Sequence, residues 1–128
     1  MDGCIIRAMN TADNPLSISA IAAALGELAR RFDVDVMDEC ASTNLELLRR
    51  AEAGAPSGSV LAARRQPAGR GRLGRSWFAE PGASLTFSLL WRFAPGTLPL
   101  GLSLAVGVAL AEAFDAIGVA DVRLKWPN

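Results

Sequence analysis

The chain lacks histidine and tyrosine altogether, and its 128 residues include only two cysteines, Cys4 and Cys40. Without histidine, a histidine-ligated metal site and any catalytic pair built on an imidazole base are both excluded. Two cysteines are too few for a disulfide framework, so we expect them to be reduced and the protein to be cytoplasmic.

Long hydrophobic runs are also missing. The longest apolar stretch, residues 98–114, is interrupted by Pro99, Gly101 and Gly107. A membrane span takes about 20 apolar residues, so this stretch predicts a buried helix and no membrane association. The N-terminus has no sustained apolar segment of the secretory kind. The composition, with 51% hydrophobic residues and 13 basic against 13 acidic residues, predicts one ordered domain over residues 17–128. We expect a flexible arm over residues 1–16 to precede it.

Lysine is almost absent, because Lys125 is the only lysine among 13 basic residues. It could be a chance survivor of an arginine-rich composition, or it could mark a place that needs a compact primary ammonium. The arginines are unevenly spread: five of them fall within residues 64–75, a stretch without an acidic residue.

Hydrophobic spacing predicts the order helix, strand, helix, strand, loop, strand, helix, strand. The predicted helices run from Ser17 to about Arg31, from a cap at Ser42 or Thr43, and over 98–118; the predicted strands lie at 34–37, 59–63, 83–93 and 122–126. The third helix is apolar nearly all round, so we expect it to be central and buried. The order of elements predicts an α+β fold with a mixed, mainly antiparallel sheet packed with helices.

The segment 64–82 combines arginines with four glycines and shows no periodicity. Glycine amides form anion-binding nests, and arginine forks bind phosphate or carboxylate through two hydrogen bonds. Gln66 offers both a donor and an acceptor to a neutral polar ligand such as a urea, and Trp77 offers a face for stacking on a base. The chemistry leaves three interpretations open: a loop closing over an acyl-nucleotide, an RNA- or DNA-binding segment, and a solvated surface loop.

Three blocks of sequence carry a resemblance to a known family. They are STN at 42–44, QPAGRGRLGRSW at 66–77 and LKWPN at 124–128. In this order and at these separations the blocks resemble the biotin protein ligases, that is, the biotin–acetyl-CoA-carboxylase ligases. The resemblance covers about residues 17–128 and implies the N-terminal part of a catalytic domain related to class II aminoacyl-tRNA synthetases. We expect the second half of that catalytic domain, which the family has, to be absent from this chain.

The resemblance implies an activity in two steps. The family activates biotin with ATP and Mg²⁺ to biotinyl-5′-adenylate, and then transfers biotin to a lysine of the biotin carboxyl carrier domain of acetyl-CoA carboxylase. We expect no helix-turn-helix domain in front of the resembling part and therefore no DNA binding, while a homodimer stays open. Two alternatives also stay open: a related lipoate- or octanoyl-transfer enzyme, and a catalytically incomplete biotin-binding fragment. Gln66 and the arginine/glycine segment favour biotin.

The matching positions imply roles for individual residues. Biotin-binding roles fall on Ser42, Thr43, Asn44, Gln66, Arg70, Gly71, Arg72 and Lys125. Nucleotide-binding roles fall on Gly69, Arg72, Arg75, Trp77 and Asn128, although Trp77 could equally be a core aromatic. Catalytic roles fall on Lys125, Arg70 and Arg72, with Lys125 holding the carboxylate and α-phosphate oxygens as they react. We assign no residue as a metal ligand.

Overall fold

The computed structural model describes residues 16–125, which fall into two compact units divided after Arg92. The first unit contains two α-helices and three strands, and the second contains one α-helix. The predicted arm over residues 1–16 lies outside the described residues except for Leu16. Among the residues described, no helix is long and apolar enough to cross a membrane.

The first helix, α1 (Ile18–Leu25), begins at the predicted cap, where the Ser17 side chain accepts a hydrogen bond from the Ala20 N–H at 3.2 Å. The predicted extension of this α-helix to Arg31 is wrong. Gly26 has a φ of 55°, a conformation that glycine adopts easily and that ends an α-helix. Residues Gly26–Arg31 continue as a 3-10 helix instead.

The sheet of the first unit has three strands, β1 (Asp33–Glu39), β2 (Ser59–Arg65) and β3 (Thr86–Leu89), in that spatial order. β1 and β2 are parallel, and β2 and β3 are antiparallel. The α+β class and the mixed sheet are therefore confirmed, with one strand pair of each kind in the described part. β3 is shorter than the predicted 83–93, because only four of its residues pair with β2.

The second helix, α2 (Thr43–Glu52), forms the connection between the two parallel strands and covers one face of the sheet. The buried core lies between them and comprises Cys40, Leu47, Leu61 and Ala63. Arg50 joins α2 to β1 through a hydrogen bond of 2.8 Å to Asp35, and it also donates to Glu46 within α2 at 2.8 Å. The Arg50–Asp35 contact therefore holds the C-terminal half of α2 against β1.

The other face of the sheet borders an open apolar groove of about 1080 Å³. Val60, Ala62, Phe87 and Leu89 line it, since residues two apart in a strand point to the same face of the sheet. The residues between them in β3, Thr86 and Ser88, are half-buried on the opposite side. The strand therefore presents its hydroxyl groups to the side of the sheet that carries α2.

The second unit contains α3 (Leu102–Ala116), which follows Gly101 in a left-handed conformation and is shorter than the predicted 98–118. The prediction that it is buried is wrong for this unit, since none of its residues is buried. A helix that is apolar all round needs cover on every side, and the described part of this unit offers only flanking segments. The predicted strand at 122–126 is also wrong for the described residues 122–125, which pair with no strand.

Candidate functional site

The carboxyl ends of the parallel strands β1 and β2 lie next to each other at one edge of the sheet. Beyond the strands, the Cys40 N–H donates to the Arg65 carbonyl at 3.0 Å, and the Ala68 N–H donates to the Ala41 carbonyl at 3.1 Å. These bonds bring the STN block alongside the start of the arginine/glycine block. Crevices at the carboxyl ends of parallel strands are where such sheets commonly bind ligands.

The STN block opens α2. The Ser42 side chain accepts from the Leu45 N–H at 3.4 Å, so Ser42 and not Thr43 is the cap. Thr43 is the first helical residue and is only 3% exposed, whereas Asn44 is exposed. The N-terminus of α2 therefore faces this edge, and a helix N-terminus favours polar and anionic groups.

Gln66 and Thr43 are joined by two hydrogen bonds. The Oε1 atom of Gln66 accepts from the Thr43 backbone N–H at 2.9 Å and from the Thr43 hydroxyl at 3.1 Å. A backbone N–H requires an acceptor, so this contact fixes which end of the Gln66 amide is oxygen. The Nε2 end, with its two hydrogens, is thereby assigned as a donor.

Ser88 is a third side chain in the hydrogen-bonded group of Thr43 and Gln66, and the sequence did not identify it as a site residue. Its hydroxyl lies 2.8 Å from the hydroxyl of Thr43, 45 residues away along the chain. The signal for it in the sequence is that Ser88 lies between the apolar residues Phe87 and Leu89 of a strand and so points to the face opposite theirs. In the structure that face is turned toward α2, and the hydroxyl is half-buried.

The arginine/glycine block is a small hairpin and not the irregular loop that the sequence predicted. The Trp77 N–H donates to the Gly69 carbonyl at 3.2 Å, and the Gly71 N–H donates to the Arg75 carbonyl at 2.8 Å. At its tip, Leu73 and Gly74 have φ values of 58° and 72°. Two consecutive residues with positive φ are typical of the type I′ turn, and the Arg75 N–H donates to the Arg72 carbonyl across them at 3.3 Å. We name residues 69–77 the Arg/Gly hairpin.

Gly69 is required by the close approach of its neighbours. A Cβ at this position would lie 2.3 Å from Gln66 Nε2 and 3.0 Å from Trp77 Cδ1. The first distance is far inside van der Waals contact, and Gln66 cannot move aside without breaking its bonds to Thr43. The glycine therefore couples the base of the Arg/Gly hairpin to the fixed amide.

The hairpin presents three arginines and an aromatic ring to solvent. Arg70, Arg72 and Arg75 are exposed, and no acidic residue occurs between positions 53 and 79. Trp77 is 53% exposed in the described part of the chain. The hairpin thus offers positive charge together with a stacking surface, the combination that a nucleotide ligand uses.

Arg64 and Arg65, the first two arginines of the basic run, are engaged elsewhere. Arg64 pairs with Asp38, and Arg65 lies 3.3 Å from Glu39. Both carboxylates belong to β1, so these arginines tie the neighbouring parallel strands together. The positive charge offered to a ligand therefore comes from the hairpin.

Lys125 belongs to the second unit, where it is exposed in the irregular segment after α3, and Asn128 lies outside the described residues. Their implied roles stay predictions. Within residues 16–125, no three acidic, cysteine or histidine side chains lie close enough together to hold a metal ion.

Comparison with known proteins agrees with the geometry. The model of the biotin/lipoate A/B protein ligase family matches residues 37–128. The bifunctional ligase/repressor BirA of Escherichia coli is 44% identical over 96 residues, which make up 74% of this chain and 30% of that protein. The biotin–[acetyl-CoA-carboxylase] ligase of Mycobacterium tuberculosis is 41% identical over 101 residues, 74% of this chain and 38% of that protein.

A solved structure shares the fold. The biotin acetyl coenzyme A carboxylase synthetase of Helicobacter pylori, crystallised with bound biotinylated ATP, superposes with a TM-score of 0.64 and 29% identity, covering 76% of this chain and 47% of that one. The α+β sheet with its polar edge is accordingly of the biotin ligase class.

The chain belongs to the biotin/lipoate A/B protein ligase family, whose model matches most of its length. The resemblance seen in the three sequence blocks is thereby confirmed. The chain spans about 30% of the length of BirA of Escherichia coli.

Proposed function

We propose that this chain is part of the catalytic domain of a biotin protein ligase. The observation that carries the proposal is the meeting of Thr43, Gln66 and the base of the Arg/Gly hairpin at one sheet edge. The relatives named as biotin–[acetyl-CoA-carboxylase] ligases, and the solved structure with a biotinylated nucleotide, support the choice of substrates.

The biotin side of the site is the fixed amide and the start of α2. The ureido group of biotin is neutral and carries both donors and an acceptor, so it needs partners held in one orientation. Gln66 Nε2 supplies an oriented donor, and Ser42 and Asn44 supply polar groups at the helix N-terminus. Biotin binds in our proposal with its polar ring toward these residues.

The nucleotide side is the Arg/Gly hairpin. Gly69, Arg72, Arg75 and Trp77 contact the adenylate in this proposal, and Asn128 completes that set. Arg70 and Gly71 lie between the two sides and contact biotin as well. Since the hairpin contributes most of these groups from one short segment, its position governs whether biotin and ATP are held together.

The reaction joins two anions. An oxygen of the biotin carboxylate attacks the α-phosphorus of ATP, the bond from that phosphorus to the bridging oxygen breaks, and pyrophosphate leaves. Lys125, Arg70 and Arg72 offset the repulsion and stabilise the charge that develops on the phosphate oxygens. A lysine amine of the carrier domain then attacks the acyl carbon of the adenylate, AMP leaves, and an amide forms.

Mg²⁺ accompanies ATP in our proposal as a complex with its phosphates. The carrier domain of acetyl-CoA carboxylase is the acceptor, and the cytoplasm is the location. Neither DNA nor a membrane has a part in the reaction.

Calorimetric titration of the chain with biotin, lipoate and biotinyl-5′-adenylate tests the proposal. We expect biotin to bind more tightly than lipoate, and the adenylate more tightly than biotin, because it engages the hairpin as well. Tighter binding of lipoate would assign the chain to the lipoate branch of its family. Retention on RNA that weakens steeply with salt, without biotin binding, would instead support a nucleic-acid-binding role.

A further inference from the structure

Ser88 belongs to none of the sequence blocks that carry the family resemblance, yet its hydroxyl touches the buried hydroxyl of Thr43 at 2.8 Å. We propose that Ser88 is a positioning residue that orients the Gln66 amide through Thr43. The NH₂ group of Gln66 then faces the ligand as a hydrogen-bond donor, so the site selects a ligand with an acceptor at this point. The identity of that ligand as biotin rests on the proposed function.

The direction of the hydrogen bonds follows from counting hydrogens. The Thr43 hydroxyl has one hydrogen, and Gln66 Oε1 has none to offer. At the 3.1 Å contact between them, Thr43 is therefore the donor. Its hydrogen is then used, so at the 2.8 Å contact the Ser88 hydroxyl donates to Thr43 Oγ1. We call this chain from Ser88 through Thr43 to Gln66 the relay.

The relay matters because its central member has little access to water. Thr43 is 3% exposed, so water cannot readily replace a missing partner. A hydrogen bond received from Ser88 keeps the Thr43 hydroxyl turned toward Gln66 and strengthens the bond that it donates. Without Ser88, the amide is held mainly by the Thr43 backbone N–H at 2.9 Å. One bond leaves the amide freer to rotate than two.

The consequence for recognition lies at the other end of the amide. With Oε1 occupied by two donors, Gln66 can meet a ligand only through Nε2, which is packed beside Gly69. The ligand group at this point must be an acceptor, such as a carbonyl oxygen. Loosening the amide therefore weakens the binding of such a ligand without removing any group that touches it.

The first experiment needs no ligand. Gln66 is the only glutamine in the chain, so selective labelling of glutamine with ¹⁵N in the side chain gives one NH₂ group to observe. We expect the side-chain order parameter of Gln66 to be high in the unmodified chain and clearly lower in Ser88→Ala. Ser88→Thr, which keeps a hydroxyl donor, is expected to restore it. Thr86→Val is the matched control, since Thr86 lies on the same face of β3 outside the relay.

The second experiment measures biotin affinity by calorimetry in a double-mutant cycle. Ser88→Ala is expected to weaken binding roughly threefold to tenfold, as for the loss of one hydrogen bond within a network. In a Gln66→Ala background the same change is expected to have no further effect on biotin affinity, because the amide that the relay orients is then absent. A merely structural role of Ser88 would weaken binding equally in both backgrounds.

The outcomes separate this inference from the proposed function. If the unmodified chain binds no biotin, the proposed function fails, while the order parameter still decides whether Ser88 positions the amide. An unchanged Gln66 order parameter in Ser88→Ala would overturn the relay, as would an equal loss of affinity in the presence and absence of Gln66. A lowered order parameter that Ser88→Thr restores would establish it.

Discussion

Thr43 and Gln66 lie 23 residues apart in sequence and are held together by two hydrogen bonds to a single oxygen atom, at 2.9 and 3.1 Å. One residue starts α2 and the other follows β2, so the contact ties the helix N-terminus to the strand end. It also leaves the nitrogen of the amide as the only group of Gln66 available to a ligand. The oxygen atom of Gln66 joins the helix to the strand end. The nitrogen atom is the group that contacts the ligand in our proposal.

Gln66→Glu separates these two roles. A glutamate keeps an oxygen that accepts both bonds from Thr43, but it replaces the NH₂ donor with a negatively charged acceptor. We expect the free energy of unfolding to change little, and biotin affinity to fall by about 100-fold or more, because an acceptor on the ligand would meet a carboxylate. Denaturant unfolding and calorimetry on the same samples check both halves. Retained biotin affinity would show that Nε2 does not contact the ligand.

Gly69→Ala should disturb the same amide from the other side. The added methyl group would lie 2.3 Å from Gln66 Nε2, so either the Thr43 bonds or the hairpin base must give way. We expect a loss of about 1–3 kcal/mol in the free energy of unfolding, in the range for overpacking. Gly71→Ala is the steric comparison, since its nearest contact would be 3.4 Å, and it should cost less than about 1 kcal/mol. Equal losses in the two variants would contradict this account of Gly69.

Much of this site was predictable from the sequence, for reasons that differ from residue to residue. A serine before a helical pattern predicts a cap, and Ser42 is one, because capping depends on neighbours within a single turn. The helix that starts there and the mixed sheet were also predicted from local periodicity. The resemblance of the sequence blocks to the family predicts that Thr43 and Gln66 belong to the same site.

What the sequence did not predict depends on partners distant in the chain. The alternation of polar and apolar residues around Ser88 indicates that the strand has two faces, but it does not indicate which face α2 covers. The sequence of the Arg/Gly hairpin predicts a loop, because type I′ turns favour Asn, Asp or Gly at positions with positive φ, and Leu73 occupies one of them. The prediction that α3 is buried was wrong. An apolar sequence indicates that a helix needs other elements packed against it, but it does not show whether the described residues provide them.

The ion pairs of α2 predict how stability depends on pH. Hydrogen bonds from Arg49 lower the pKa of Glu46 to about 2, against the effect of burial, and hydrogen bonds from Arg50 add to the lowering. Because the folded-state pKa lies below the unfolded value of 4.5, this contribution is present above pH 4.5 and is lost as the pH falls toward 2.

Glu46→Gln tests that contribution. At pH 7 we expect it to lower the free energy of unfolding by roughly 2 kcal/mol, discounted for partial solvent screening. Near pH 2 the variant and the unmodified chain should differ much less. Urea unfolding at both pH values measures the two differences. A difference that stays constant between pH 7 and pH 2 would mean that the charge of Glu46 contributes nothing.

The Arg/Gly hairpin should become more protected when the adenylate binds. Its tip is exposed, with Leu73 at 93% of its full accessibility, and little apolar packing holds residues 70–75 in place. We expect amide hydrogen exchange in this segment to slow by about tenfold or more on addition of biotinyl-5′-adenylate. The amides of the β2 strand serve as the internal reference. Equal protection in the free and bound chain would exclude the hairpin as a segment that orders on the ligand.

Lys125 provides the most direct test of the proposed chemistry. Lys125→Arg keeps the positive charge but replaces a compact ammonium with a wide planar fork, which cannot occupy the same point between two anionic groups. The variant is made in a form of this protein that forms biotinyl-5′-adenylate. We expect its pyrophosphate release to slow by on the order of 10²-fold, comparable to the loss of one positioned electrostatic donor. The thermal midpoint should hardly change, because Lys125 is exposed. Arg123→Lys is the matched control, since it alters a basic residue of the same segment without an implied role. Near-normal pyrophosphate release by a well-folded Lys125→Arg protein would remove Lys125 from the mechanism and leave Arg70 and Arg72 as the groups that stabilise the developing charge.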